Sequence, residues 1–124
     1  MRYIICQEGV ESVPGQYVPI GAMEWSEELK IPVTWNFNDK IIGVGTDIRR
    51  EENGVITAEI ELLHEDKKYI EGLLKKMDDW CFSTFMSPAY FHRWKDILWI
   101  TRAQIRGLAI VPEYSFWSNK PQES

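Results

Sequence analysis

Apolar and polar residues alternate with a period of two from Ile42 to Ile48, where Ile42, Val44, Thr46 and Ile48 share a face. The alternation resumes after Asn53-Gly54, with Ile56, Ala58, Ile60 and Leu62 on one side and Thr57, Glu59 and Glu61 on the other. Two half-buried runs joined at an Asn-Gly pair predict a β-hairpin, because these two residues accept the positive φ that a tight hairpin turn needs. From Glu65 to Trp80 the period changes. Tyr69, Ile70, Leu73, Leu74 and Met77 fall at helical spacing, and Glu65 and Asp66 stand where a helix dipole favours acids. A third alternating run, Ile97 to Val111, puts Ile97, Trp99, Thr101, Ala103, Ile105, Gly107, Ala109 and Val111 on one face, with Arg102, Gln104 and Arg106 on the other.

The remaining stretches are shorter. Arg2 to Cys6 reads as an opening strand, and Glu8 to Gly21 as a long Gly/Pro/Ser-rich loop around an extended piece at Tyr17 to Ile20. Trp25 to Leu29 predicts a helical turn with Ser26 as N-cap and Glu27 and Glu28 in its first turn. Ile31 to Trp35 is extended around Pro32. Cys81 to Trp94 is aromatic and irregular, broken by Pro88. The sum predicts an α+β fold, a mostly antiparallel sheet or small β-barrel with one main amphipathic helix. Residues 1–124 read as a single domain with a polar tail over 117–124.

Composition narrows the function classes. The net charge of −5 argues against nucleic acid as a partner, since phosphate binding needs clustered Lys and Arg. Lys67, Lys68, Lys75 and Lys76 sit beside Glu65, Asp66, Asp78 and Asp79 and read as a solvated helix face. No run reaches the roughly 20 apolar residues that cross a bilayer, and Tyr3 to Cys6 is too brief for a signal-peptide core. An intracellular protein without a membrane partner is expected. Cys6 and Cys81 form no CxxC pair and are expected as buried free thiols. Six tryptophans stand out; most belong in a core, while Trp25, Trp94 and Trp117 are candidates for a protein interface.

Candidate chemistry is sparse. His64 and His92 have no HxxxH spacing and neither thiol lies near a second ligand, so no metal site and no cofactor are expected. Gly43-x-Gly45 lacks the third glycine and helix of a dinucleotide loop and marks a bulge or close backbone approach. Glu51, Glu52, Glu59 and Glu61 are expected in solvent. Ser83 or Ser87 with His92 is not supported as a catalytic pair by spacing alone.

Two segments carry a family resemblance. Trp35-Asn36-Phe37-Asn38-Asp39, then Ile42-Gly43-Val44-Gly45, Asn53-Gly54 and Thr57-Ala58-Glu59-Ile60 resemble the N-terminal core of tailed-phage prohead (head maturation) proteases. Arg106 to Pro112, RGLAIVP, is similar to the later strand of that family, which carries its serine nucleophile. The resemblance places Phe37 at the catalytic histidine and Ala109 at the serine. Phe37 cannot accept a proton and Ala109 has no nucleophilic atom. It therefore implies a non-catalytic relative, a structural or interaction protein of phage capsid assembly or decoration. Its expected partners are capsid subunits or further copies of the same chain, in the bacterial host cytoplasm and then the virion. The alternatives are an active serine protease with a rearranged site, drawing on His64 or His92 with Ser83 or Ser115, and a small ligand- or peptide-binding module using Trp25, Trp94 or Trp117.

Overall fold

The computed structural model describes residues 2–10, 15–26, 30–35, 40–63, 65, 67–76 and 81–111, leaving out the side chains of Cys81, Pro88, Ala89 and Val111. In chain order the strands are β1 (Arg2–Gln7), β2 (Gln16–Tyr17), β3 (Met23–Glu24), β4 (Ile31–Trp35), β5 (Ile41–Arg50) and β6 (Val55–Leu62). The helix α1 (Lys67–Lys76) follows, then β7 (Cys81–Trp94) and β8 (Ile97–Val111). The protein is mostly β, with one helix among the described residues and a single curled sheet forming a half-barrel.

The predicted β5–β6 hairpin is present and antiparallel, closing at Arg50 opposite Ile56. Its turn, Glu52–Gly54, places Asn53 at φ 59 and Gly54 at φ 78. Upstream, Asp47 adopts φ 50 inside a register shift between Thr46 and Arg49. Arg2 joins Asp47 through its guanidinium, which also donates to Thr57 Oγ1 at 2.9 Å. Thr57, expected to face solvent, is thereby covered and fully buried; its hydroxyl donates to Glu51 Oε1 at 2.9 Å.

The sheet order is β1-β6-β5-β4-β8-β2, with β3 and β7 also paired to β8. The expected antiparallel pairing holds for β1–β6, β5–β6, β4–β5 and β7–β8, while β2, β3 and β4 run parallel to β8 over short stretches. They meet it in chain order: Gln16 opposite Leu98, Met23 opposite Ala103 and Val33 opposite Leu108. The sheet is mixed, and β8 is its spine.

The larger correction is at Cys81–Trp94, which is not irregular but a strand paired with β8 over almost its whole length. Among the described strands β7 pairs with β8 alone, and a register shift follows Pro88 immediately, so the proline sits at an irregularity of an edge strand, where its missing N–H is tolerated. Register shifts also explain why β8 does not present the single face expected of it. Thr101 and Arg106 have no opposite residue on β7, and each extra residue flips the strand's phase. The buried series is accordingly Ile100, Ala103, Ile105, Leu108 and Ile110.

The core gathers Ile5, Ile31, Val33, Ile42, Ile56, Ile60, Phe82, Ile100, Ile105, Leu108 and Ile110. The first part of β7 curls back to β1: Thr84 Oγ1 donates to the Ile5 carbonyl at 2.6 Å, and the Tyr3 and Phe82 rings meet edge-on at 5.3 Å. On α1 only Ile70 is fully buried, Leu73 and Leu74 are half-buried, and Tyr69 turns out to be exposed. Glycine at position 43 is required by a close approach, since a Cβ there would stand 2.8 Å from the Glu61 carbonyl oxygen. The expected helical turn at Trp25–Leu29, Met77–Trp80 and the polar tail lie wholly or partly outside the described residues.

Candidate functional site

The two halves of the resemblance converge on one place in the sheet. Val33, Thr34 and Trp35 of β4 lie opposite Leu108, Ala109 and Ile110 of β8, and Phe37 follows two residues after Trp35. Phe37 itself is outside the described residues. Leu108 and Ile110 belong to the core cluster, so Ala109, alternating between them, lies on the other face of the sheet. Its register neighbours there are Thr34 on β4 and Ser83 on β7, both half-buried, and Ala109 has no exposed surface.

The rearranged serine–histidine pairs fare unevenly. Ser83 and His92 stand on the same strand, nine residues apart, a separation of roughly 30 Å at about 3.3 Å per residue. Ser87 is closer but its hydroxyl accepts from Arg106 Nε at 3.2 Å. His92 stacks on Trp99 at the far end, with ring centroids 6.0 Å apart. Neither serine reaches His92. His64 and Ser115 lie outside the described residues.

The three candidate interface tryptophans go to different surroundings. Trp25 is half-buried against the core, with the Arg50 guanidinium 5.0 Å over its ring. Trp117 is outside the described residues. Trp94 is at the outer end of β7 and 54% exposed. The same strand end carries Tyr90 at 61% and Phe91 at 63%, neither of them among the aromatics expected at an interface. Beside Trp94, Trp99 forms a base: Tyr17 packs 4.6 Å from it and Trp94 lies at 6.1 Å, while Lys95 Nζ sits 4.5 Å over the Trp94 ring. Lys95 and Asp96 both have positive φ (50° and 64°), the requirement of a two-residue hairpin turn, so β7 and β8 close tightly here. At the tip Arg93 and Lys95 stand with Asp96, while Arg102 further back is paired with Glu24 Oε1 at 3.0 Å, within a chain of net charge −5. The hairpin presents an aromatic and cationic end.

At the start of β7 the opposite character appears. A cleft of about 430 Å³ opens between α1 and the β1–β6–β5 side of the sheet. Tyr3, Leu62, Leu74, Phe82 and Ile110 give it an apolar floor, and among the described residues Glu59, Glu61 and Glu71 line it together with Lys67. Glu61 meets the expectation of a solvated carboxylate, as do Glu51 and Glu52; Glu59 does not, being half-buried in the cleft wall. The Tyr3 phenol is pushed above its ordinary range by burial, with the Glu71 charge adding to the effect.

A third cluster is internal. Glu8 has no exposed surface; its Oε2 accepts the Met23 backbone N–H at 2.8 Å, and its Oε1 pairs with Arg50 Nε at 2.7 Å. Arg50 also donates to the Met23 carbonyl at 2.7 Å. Every carboxylate oxygen and the strand it touches are satisfied, which makes this a clasp between β1, β3 and β5 with no atom left for a ligand. Cys6, next to it and buried, is pushed up to about 12 by its burial and then by the Glu8 charge. Such a thiol is inert. The Cys81 side chain lies outside the description. Among the described residues, no three His, Cys, Asp or Glu side chains form a group able to hold a metal ion, and no helix is long and apolar enough to cross a membrane.

No family model, curated protein or solved structure matches the chain.

Proposed function

We propose that the chain is a non-catalytic interaction protein of a tailed phage or prophage, acting in capsid assembly or decoration, and that it docks on capsid protein through the outer end of the β7–β8 hairpin. The observation that carries the docking role is the exposure of Tyr90, Phe91 and Trp94 together on one edge strand. Singly exposed apolar residues are ordinary, but several aromatics gathered on one rigid element mark contact surfaces. Burying Phe91 alone would contribute about 1.5–3 kcal/mol of hydrophobic free energy.

The phage setting rests on the resemblance. Support for the non-catalytic part comes from Ala109, sealed between Thr34 and Ser83 at the position where the resemblance places a nucleophile. Host cytoplasm and then the virion follow as the places of action.

Co-sedimentation with shells assembled from the capsid protein of the same genome tests the reading. The wild-type chain pellets with shells, and Phe91→Ser combined with Tyr90→Ser stays in the supernatant. A chain that never pellets with shells removes the capsid role. A fluorophosphonate probe, applied in parallel, leaves the protein unlabelled; stoichiometric labelling of a serine establishes an enzyme instead.

A further inference from the structure

The acidic cleft is left unused by the docking role proposed above, and its chemistry specifies an occupant. Its floor is apolar and aromatic, from Tyr3, Leu62, Leu74 and Phe82, while among the described residues Glu59, Glu61 and Glu71 outnumber Lys67 at its walls. A segment that fits must bring an apolar ring and a cation side by side. Trp94 and Lys95 are such a segment, the ammonium already 4.5 Å over the indole, with Arg93 next to them. Trp94 is 54% exposed, so it can enter a cavity without the hairpin unfolding. A cavity of about 430 Å³ is within the range, roughly 300–1,000 Å³, that accepts a group of this size.

Within one molecule the two cannot meet. Phe82 lines the cleft and Trp94 is twelve residues further along the same paired strand, roughly 40 Å of strand path at about 3.3 Å per residue. The complement must come from a second copy. We infer that the chain self-associates head to tail, the Trp94-Lys95 end of one copy seated in the Glu59–Glu61–Glu71 cleft of the next. The interface is heterologous, so each copy retains one unused end and one unused cleft, and association continues into a ring or an open string. It rests on the interaction-protein reading and shares the hairpin tip with it, adding the acidic cleft, which that reading does not use.

Sedimentation velocity on the full chain over a concentration series tests the inference with two variants. A tip variant carries Trp94→Ser and Lys95→Glu; a cleft variant carries Glu61→Lys and Glu71→Lys. All four positions are exposed or half-exposed surface sites, and unchanged thermal unfolding of each variant establishes that it folds. The wild-type chain forms species larger than a dimer, and added salt weakens them because the interface is charged. Each variant alone is monomeric, its association at least about tenfold weaker. An equimolar mixture of the two stops at a dimer, since only one intact tip and one intact cleft remain. Three results overturn the inference: a monomeric wild-type chain at every concentration, a cleft variant that associates like the wild type, or a mixture that stays monomeric. Capsid-shell binding by a chain that is monomeric alone would leave the proposed function standing and remove only self-association.

Discussion

Glu8 shows how much one residue organises. A carboxylate with no exposed surface is tolerable only when charge and hydrogen-bonding capacity are both answered, and Arg50 and the Met23 amide do so. Arg50→Ala leaves that charge buried without its partner and should cost about 3 kcal/mol, the lower end of the usual range because the guanidinium is 34% exposed. Arg50→Lys should fall between wild type and Arg50→Ala, since an ammonium cannot bridge Glu8 and the Met23 carbonyl as the planar fork does. Urea unfolding monitored by tryptophan fluorescence checks the order; equal stability of all three proteins would mean the clasp contributes nothing. Cys6 beside it gives a pH signature. Its folded pKa of about 12 lies above the ordinary 9.0, so between those values the folded state holds a proton the unfolded state has lost. The thiol's contribution to stability is therefore full below pH 9.0 and is lost as pH rises toward about 12. Peptide mapping after iodoacetamide at mildly alkaline pH should find Cys6 unmodified in the native protein and alkylated in urea; rapid native modification would contradict its burial.

Among the elements, the β5–β6 hairpin depends most on a single residue. Gly54 combines a φ of 78° with a close approach in which a Cβ would stand 2.6 Å from the Glu8 carbonyl oxygen. Gly54→Ala must therefore strain the turn and displace the end of β1 together, and should cost at least about 2 kcal/mol. Asn53→Gly at the neighbouring φ of 59° should change stability by no more than about 0.5 kcal/mol, because only the conformation, not a clash, is at stake there. Thermal unfolding of the two variants measures the contrast. This hairpin was legible in the sequence because its turn is Asn-Gly and each strand alternates. The irregularity at Asp47 breaks the phase between them and sets Val44 and Thr46 opposite Glu61 and Glu59 rather than beside Ile60 and Leu62. The β7–β8 hairpin was legible only in part. Ile97–Val111 read as a strand, but its turn is Lys95-Asp96, whose positive φ values no common turn signal announces. Thr101 and Arg106 shift the phase of β8, and Pro88 and the unmatched Ala89 interrupt that of β7, so period-two counting assigned faces that the bulges then rotated. The parallel pairing of β2, β3 and β4 with β8 was hidden for another reason: β2 and β3 are two residues long and carry no periodicity, and the partner of all three is set by β8 far along the chain. Of the candidate site, Trp94 was readable as an exposed aromatic. The acidic cleft was not, since Tyr3, Glu59, Glu71 and Phe82 come together only through the curl of the sheet.

At the scale of the whole molecule, the chain separates its characters along β7. Its start lies over an acid-walled cleft, and its end carries aromatics and cations roughly 40 Å away along the strand. Under the proposed head-to-tail association, one end of the β7–β8 hairpin gives and the cleft at the other receives. The central claim is that the outer end of the β7–β8 hairpin is where this chain meets protein. Amide hydrogen exchange, read by mass spectrometry on the free chain and on the chain bound to capsid shells, tests it most directly. The account predicts slowed exchange over residues 86–96 in the bound state, with the β5–β6 turn at 51–55 unchanged. Protection elsewhere with residues 86–96 exchanging as in the free chain would contradict it.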